Sequence, residues 1–107
     1  MISVEEDNNF KKKFYINDIG FVVIEDTLDT INIIDVYVKD EYRNKGYASK
    51  ILKFIFDYYK DRNVRYMLEV KVDNLNAIKL YEKFDFKVIH ARKGYYNGVD
   101  AFIMERK

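Results

Sequence analysis

Three groups of residues in this chain could do chemistry. The first is the run Arg43-Asn44-Lys45-Gly46-Tyr47-Ala48-Ser49, in which a glycine stands between an apolar, strand-like stretch and an amphipathic one. Glycine at such a junction lets backbone approach a ligand closely, and a helix N-terminus offers free N–H groups with partial positive charge, which suits phosphate. Ala48 keeps the first turn narrow, and Arg43 and Lys45 add cations. The run lacks the Gly-Lys-Ser/Thr of a Walker loop and the three spaced glycines of a dinucleotide fingerprint. Taken alone, it reads either as a phosphate cradle or as a plain strand-to-helix turn with solvated charges. The second group is Glu69, on the opposite strand face from Leu68 and Val70 and sharing its face with Arg65, Met67 and Lys71. It is a proton acceptor or one more solvated charge. The third is Tyr81, whose ring falls on an apolar helical stripe and whose hydroxyl could still be presented to a ligand. His90, mid-strand in "KVIHAR" with no carboxylate partner evident, reads as structural or surface.

The elements that must hold these residues follow from periodicity. "KFYIN" (13–17) and "GFVVIED" (20–26) are β-branched and aromatic runs separated by Asp18 and Ile19, which predicts a hairpin. "TINIIDVYV" (30–38) is a third strand after a turn at 27–29. Beyond Gly46, Ala48, Ile51, Leu52, Ile55, Phe56 and Tyr59 fall at spacings of three and four, predicting an amphipathic helix of about four turns that ends near 61–63. "VRYMLEVKV" (64–72) alternates with period two. Asp73 or Asn74 can cap a second helix striped by Ala77, Leu80, Tyr81 and Phe84. "FKVIHA" (86–91) and "DAFIMER" (100–106) close the chain as strands, with "RKGYYNGV" a loop between them. The order predicts an α+β fold: a mixed, largely antiparallel sheet flanked by helices, with parallel pairing in the middle. At 107 residues there is room for a single domain, 1–107, and one core.

Composition removes several function classes. Nineteen basic residues against 18 acidic ones give no general attraction to nucleic acid or to an anionic membrane. Lys11-Lys12-Lys13, close behind Glu5-Glu6-Asp7, reads as a solvated segment. The absence of cysteine excludes thiol catalysis and Cys-based zinc sites. Neither a signal peptide nor a membrane span is legible, so a cytoplasmic protein is expected.

Three blocks change the weight of the glycine loop. "VKDEYRNKGYASKIL" (38–52) resembles the acetyl-CoA signature of the GNAT superfamily of N-acetyltransferases, with Arg43, Gly46 and Ala48 at its fixed positions. "LEVKVDNLNAIKLYEKFDF" (68–86) resembles a second GNAT block, and "ARKGYYNGVDAFIME" (91–105) looks like the ending of the RimI-like branch, whose members acetylate protein N-termini. The resemblance implies acetyl-CoA as co-substrate and no metal. It implies backbone pairing of Val36, Tyr37 and Val38 with the pantetheine arm, and N–H groups from Asn44 through Lys45, Gly46, Tyr47 and Ala48 to Ser49 on the pyrophosphate. Asn74 would bond the pantetheine portion. Glu69 would be the proton acceptor and Tyr81 the proton donor, while Tyr95 and Tyr96 would wall the acceptor site or simply pack the loop.

Those roles suit the chemistry. An α-amine titrates at about 7.7–8.0 and a thiol near about 8.5, so near neutral pH one proton must be removed and another supplied. Two departures are notable. Asp85 replaces the family's glycine after the second helix, a turn that Asp tolerates, and about ten residues precede the first predicted strand, where family members carry a strand and helices that wall the acceptor. An uncovered sheet edge there would favour a homodimer. The leading expectation is direct acetyl transfer to an amine, a protein N-terminus among the candidates. The alternatives are a CoA-binding or interaction module without an acceptor site, and a mixed α+β domain with no CoA affinity.

Overall fold

A computed structural model describes residues 1–7 and 10–107, with Tyr95 and Tyr96 given by backbone alone. The chain forms two compact units, Met1–Val64 and Arg65–Lys107. The first holds strands β1 (Ser3–Glu6), β2 (Lys11–Ile16), β3 (Gly20–Asp26) and β4 (Thr30–Val38), then helix α1 (Tyr47–Tyr58). The strands pair as an antiparallel meander, β1 on β2, β2 on β3, β3 on β4. A turn closed by Ile19 N–H on the Ile16 carbonyl, 3.0 Å, makes the predicted hairpin, with Asp18 left-handed at φ 63°.

Helix α1 lies on β2, β3 and β4 because its apolar stripe has one place to go. Ile51, Leu52 and Ile55 are fully buried together with Phe14, Val22, Ile24 and Ile31. Phe14 is the hub, with Phe54, Tyr58 and Tyr59 rings 6.0, 5.2 and 6.4 Å away. Burying each such side chain contributes about 1.5–3 kcal/mol.

Strand β4 carries a β-bulge. Val23 faces Asp35 but Ile24 faces Ile33, so Ile34 is an extra residue. Up to that point Ile31 and Ile33 point to the core. Beyond it Val36 and Val38 share a face with Val22, while Tyr37 joins Phe21 on the other face, their rings 5.4 Å apart. The broken alternation in "IIDVYV" is the trace of this bulge.

The second unit holds β5 (Arg65–Lys71), α2 (Leu75–Lys83), β6 (Lys87–Tyr96) and β7 (Val99–Arg106). Both β5 and β6 pair antiparallel with β7. The parallel pairing expected on either side of α2 is therefore absent: β5 and β6 run the same way, but β7 is inserted between them. Its core is Tyr66, Leu68, Val70, Tyr81, Phe86, Ala101 and Met104. Asp85, at φ 67°, makes the left-handed turn expected of it.

Four boundaries differ from the sequence reading. Strand β1 was not expected, because Ser3–Glu6 is mostly exposed and offers no apolar alternation. Lys11–Lys13 is strand rather than solvated coil. Lys12 is 17% exposed and pairs with Glu6 at 3.6 Å, while the Lys13 ammonium lies 4.8 Å from the Phe21 ring centre. Helix α1 stops at Tyr58, a turn early, and β6 extends through what reads as a loop, up to the Asn97-Gly98 turn.

The far end of α1 is tied to the β3–β4 turn. Arg62 grips Asp26 with two nitrogens, at 2.7 and 2.9 Å, and also donates to the Leu28 carbonyl. This guanidinium holds the Asp26 carboxyl down to about 2 from its ordinary 3.8, against the opposing pull of burial. A carboxylate whose folded value is depressed adds stability above the unfolded value and loses it as pH falls through the folded one. Asp26→Asn is expected to cost about 1.5–3 kcal/mol in a urea melt at pH 7. The difference from the parent should shrink between about pH 4 and pH 2.

Candidate active site

The expected cofactor residues of the first unit gather where β4 runs into α1. Lys39 N–H donates to the Ile19 carbonyl at 2.8 Å. The antiparallel alternation then makes Tyr37 and Phe21 the next hydrogen-bonded pair and turns the backbone of Val36 and Val38 away from β3. Of the three residues expected to meet pantetheine, Tyr37 thus directs its backbone to β3. The Val38 carbonyl accepts from Arg43 Nε at 3.0 Å, and a second Arg43 nitrogen lies 2.9 Å from Asp40. Arg43 therefore acts as a brace between strand and loop.

After this brace the chain makes a short 3-10 turn at Asp40–Tyr42. It then needs two left-handed residues, Asn44 at φ 62° and Gly46 at φ 85°. Asn tolerates that region and glycine is at home in it. Tyr47, Ala48 and Ser49 form the first turn of α1. No side chain caps it and no acidic residue stands in it. Free N–H groups without a competing carboxylate are what an anion needs. Tyr42 and Tyr47 meet edge-to-face at 5.8 Å, and the Lys50 ammonium lies 5.2 Å from the Tyr47 ring centre.

Helix α2 begins differently. Asn74 is its N-cap, the better of the two expected candidates, and its side-chain oxygen accepts from Ala77 N–H at 3.2 Å. The oxygen is thereby committed to the helix, and the exposed amide NH2 is the part that could reach a ligand.

In the same unit Tyr81 is 7% exposed, its ring edge-on to Phe86 at 5.7 Å. Glu69 stands on β5, its side chain 25% exposed, with Arg92 Nε 3.4 Å from Oε2. His90 is exposed, as expected of a surface residue, and sits two strands from Glu69 through Ile103. The side chains of Tyr95 and Tyr96 fall outside the described residues. Among the described residues no cluster of three or more His, Cys, Asp or Glu is placed to hold a metal, and no helix is long and apolar enough to cross a membrane.

Two features of the structure escaped the sequence reading. Arg92 meets Glu69 across an intervening strand, a proximity that exists once β7 is inserted. Gly20 lies so close to β4 that a Cβ there would be 2.4 Å from the Tyr37 carbonyl oxygen. Its place at a strand start gave no such signal.

The family model described as Acetyltransferase (GNAT) family matches residues 3–86. The chain belongs to the GNAT acetyltransferase family. This GNAT chain is 42% identical over 78 residues to an N-alpha-acetyltransferase of Saccharolobus solfataricus, a match covering 70% of this chain and 47% of that protein. It is 34% identical over 88 residues to a putative ribosomal protein bS18-alanine N-acetyltransferase of Bacillus subtilis, covering 79% and 58%. The chain thus spans about half the length of the curated relatives it matches. Among solved structures, the ribosomal-protein-S18-alanine N-acetyltransferase from Escherichia coli superposes with a TM-score of 0.81 at 27% identity, over 94% of this chain and 70% of that one. The α+β fold with largely antiparallel strands is therefore the GNAT fold.

The two glycines at this site separate conformational from steric strain. A Cβ on Gly46 meets nothing within 4 Å, so Gly46→Ala is expected to cost about 1–2 kcal/mol, the cost of a left-handed backbone alone. Gly20→Ala must push β3 from β4 and should cost more; urea denaturation of both variants checks the order.

Proposed function

We propose that this chain is the acetyl-CoA-binding and catalytic part of an N-acetyltransferase that moves an acetyl group directly onto an amine, with a protein N-terminal α-amine as acceptor. The observation that carries this reading is the bare, acid-free first turn of α1 behind Gly46, within the block that resembles the acetyl-CoA signature. In that position the N–H groups from Asn44 to Ser49 hold the pyrophosphate. The backbone of Val36 and Val38 and the amide of Asn74 hold the pantetheine arm. Acceptor choice rests on the relatives: one is named an N-alpha-acetyltransferase and others act, by name, on an alanine of ribosomal protein bS18. A cytoplasmic location, where such a terminus would be met, is part of the same proposal.

In the reaction, the amine nitrogen attacks the thioester carbonyl carbon. The N–C bond forms, the C–S bond breaks, and the sulfur leaves as thiolate. Glu69 takes the proton that the amine loses, directly or through a water. Tyr81 supplies a proton to the departing sulfur, its ring held by Phe86 while its hydroxyl does the work. No covalent enzyme intermediate is needed, and the chain has no cysteine to form one. A homodimer is part of the proposal. Val88 and Ile89 on β6, 47% and 52% exposed, are apolar area that a second copy would cover, and a monomeric mass in dilute solution would count against it.

The test is calorimetric titration with acetyl-CoA, followed by CoA release across a panel of amines and N-terminal peptides. Binding with turnover on α-amines is expected. Binding without any turnover would instead favour a CoA-binding module, and no binding would overturn both. Glu69→Gln and Tyr81→Phe should each lower kcat by about 10²-fold or more, the scale of general acid–base catalysis, while acetyl-CoA affinity stays within about twofold.

A further inference from the structure

Glu69 has company that a solvated carboxylate does not need. Although its side chain is a quarter exposed, Oε2 is sealed from solvent and, among the described residues, accepts no hydrogen bond. A buried acceptor without a donor is uncommon and calls for an explanation. The cation beside that oxygen is Arg92, its Nε 3.4 Å away. Close enough for charge and too poorly directed for a hydrogen bond, the contact fixes which edge of the carboxylate faces the protein.

Arg92 is not there by accident of the surface. It comes from β6, two strands away from β5. On the face they share, Ala101 of β7 pairs with both Lys71 and Arg92 and is fully buried. A methyl group there leaves room for the Arg92 stem to cross β7, which a longer side chain would block. Just beyond Arg92 the β6 register slips, and Gly94 N–H is caught by the Asp100 carboxylate at 2.8 Å. The segment that launches Arg92 is thus pinned from β7. Other charges on the face include Lys71, His90 and the Arg65–Glu105 pair at 3.2 Å.

We propose that Arg92 is a positioning residue for the acetyl-transfer reaction: it holds the Oε2 edge of Glu69 so that Oε1 is presented to the incoming amine. The proposal rests on Glu69 being the proton acceptor. Arg92 itself touches neither substrate nor cofactor in this role. A guanidinium suits the task because it is always charged and its planar fork orients what it holds, whereas a lysine supplies a point charge.

The experiment is a double-variant cycle on the full chain, with steady-state kinetics on the best α-amine acceptor and acetyl-CoA affinity measured by calorimetry. Arg92→Gln is expected to lower kcat at least about tenfold, with KM and Kd for acetyl-CoA within about twofold. Arg92→Lys should recover part of the loss. The decisive arm is the Glu69→Gln background, where removing Arg92 should change kcat by less than about threefold, because a residue acting through another has nothing left to act on. If the two losses multiply, Arg92 acts elsewhere and the proposal fails while Glu69 keeps its role. An Arg92→Gln enzyme with unchanged kcat overturns it equally. If Glu69→Gln alone leaves kcat intact, the proton-acceptor reading falls first and takes this one with it. Should Arg92→Gln lose acetyl-CoA binding, the same cycle with Arg92→Lys decides, since that variant keeps the charge and loses the fork.

Discussion

The extra residue in β4 sets the geometry of the first unit. A strand of strict alternation would carry Ile31 and Ile33 to the core and then Tyr37 after them. Inserting Ile34 exchanges the faces, so that Val36 and Val38 continue the apolar side and Tyr37 turns outward to Phe21. The backbone follows the same logic. Tyr37 spends its polar groups on β3, and those of Val36 and Val38 point the other way. Arg43 then closes on the Val38 carbonyl and on Asp40, which fixes where the loop leaves the strand and hence where α1 begins. At the other end of α1, Arg62 on Asp26 completes the constraint.

The second unit solves a different problem: bringing charges together on one sheet face without burying them unpaired. Arg65 meets Glu105 and Glu69 meets Arg92, each pair spanning strands that are distant in sequence. The small Ala101 and the Asp100–Gly94 bond are what allow the longer of these crossings. Leu68, Val70 and Met104 fill the opposite face, so the strands present chemistry on one side and packing on the other.

Much of this was legible in the residues. The bounds of β3 and β4, the helix start at Gly46, the cap at Asn74 and the left-handed Asp85 all follow from local rules of propensity, capping and turn chemistry. What stayed hidden depends on neighbours. Ser3–Glu6 is a strand because β2 is beside it, not because of its own pattern. The lysine run looks solvated until Glu6 and Phe21 are placed against it. The parallel pairing of β5 with β6, inferred from strand–helix–strand order, failed because β7, last in the chain, lies between them. For the same reason Arg92 could not be matched to Glu69 from spacing alone.

The bare first turn of α1 has a meaning beyond recognition. Most helix starts are finished by a nearby side chain, as Asn74 finishes α2. If the start of α1 takes the proposed anion, that ligand finishes the helix in place of a side chain and part of the folding is delegated to it. A ligand that binds the folded form alone stabilises it by mass action. Under the proposed function, the resistance of this chain to proteases would then track the local supply of that anion, making its lifetime a readout of the supply.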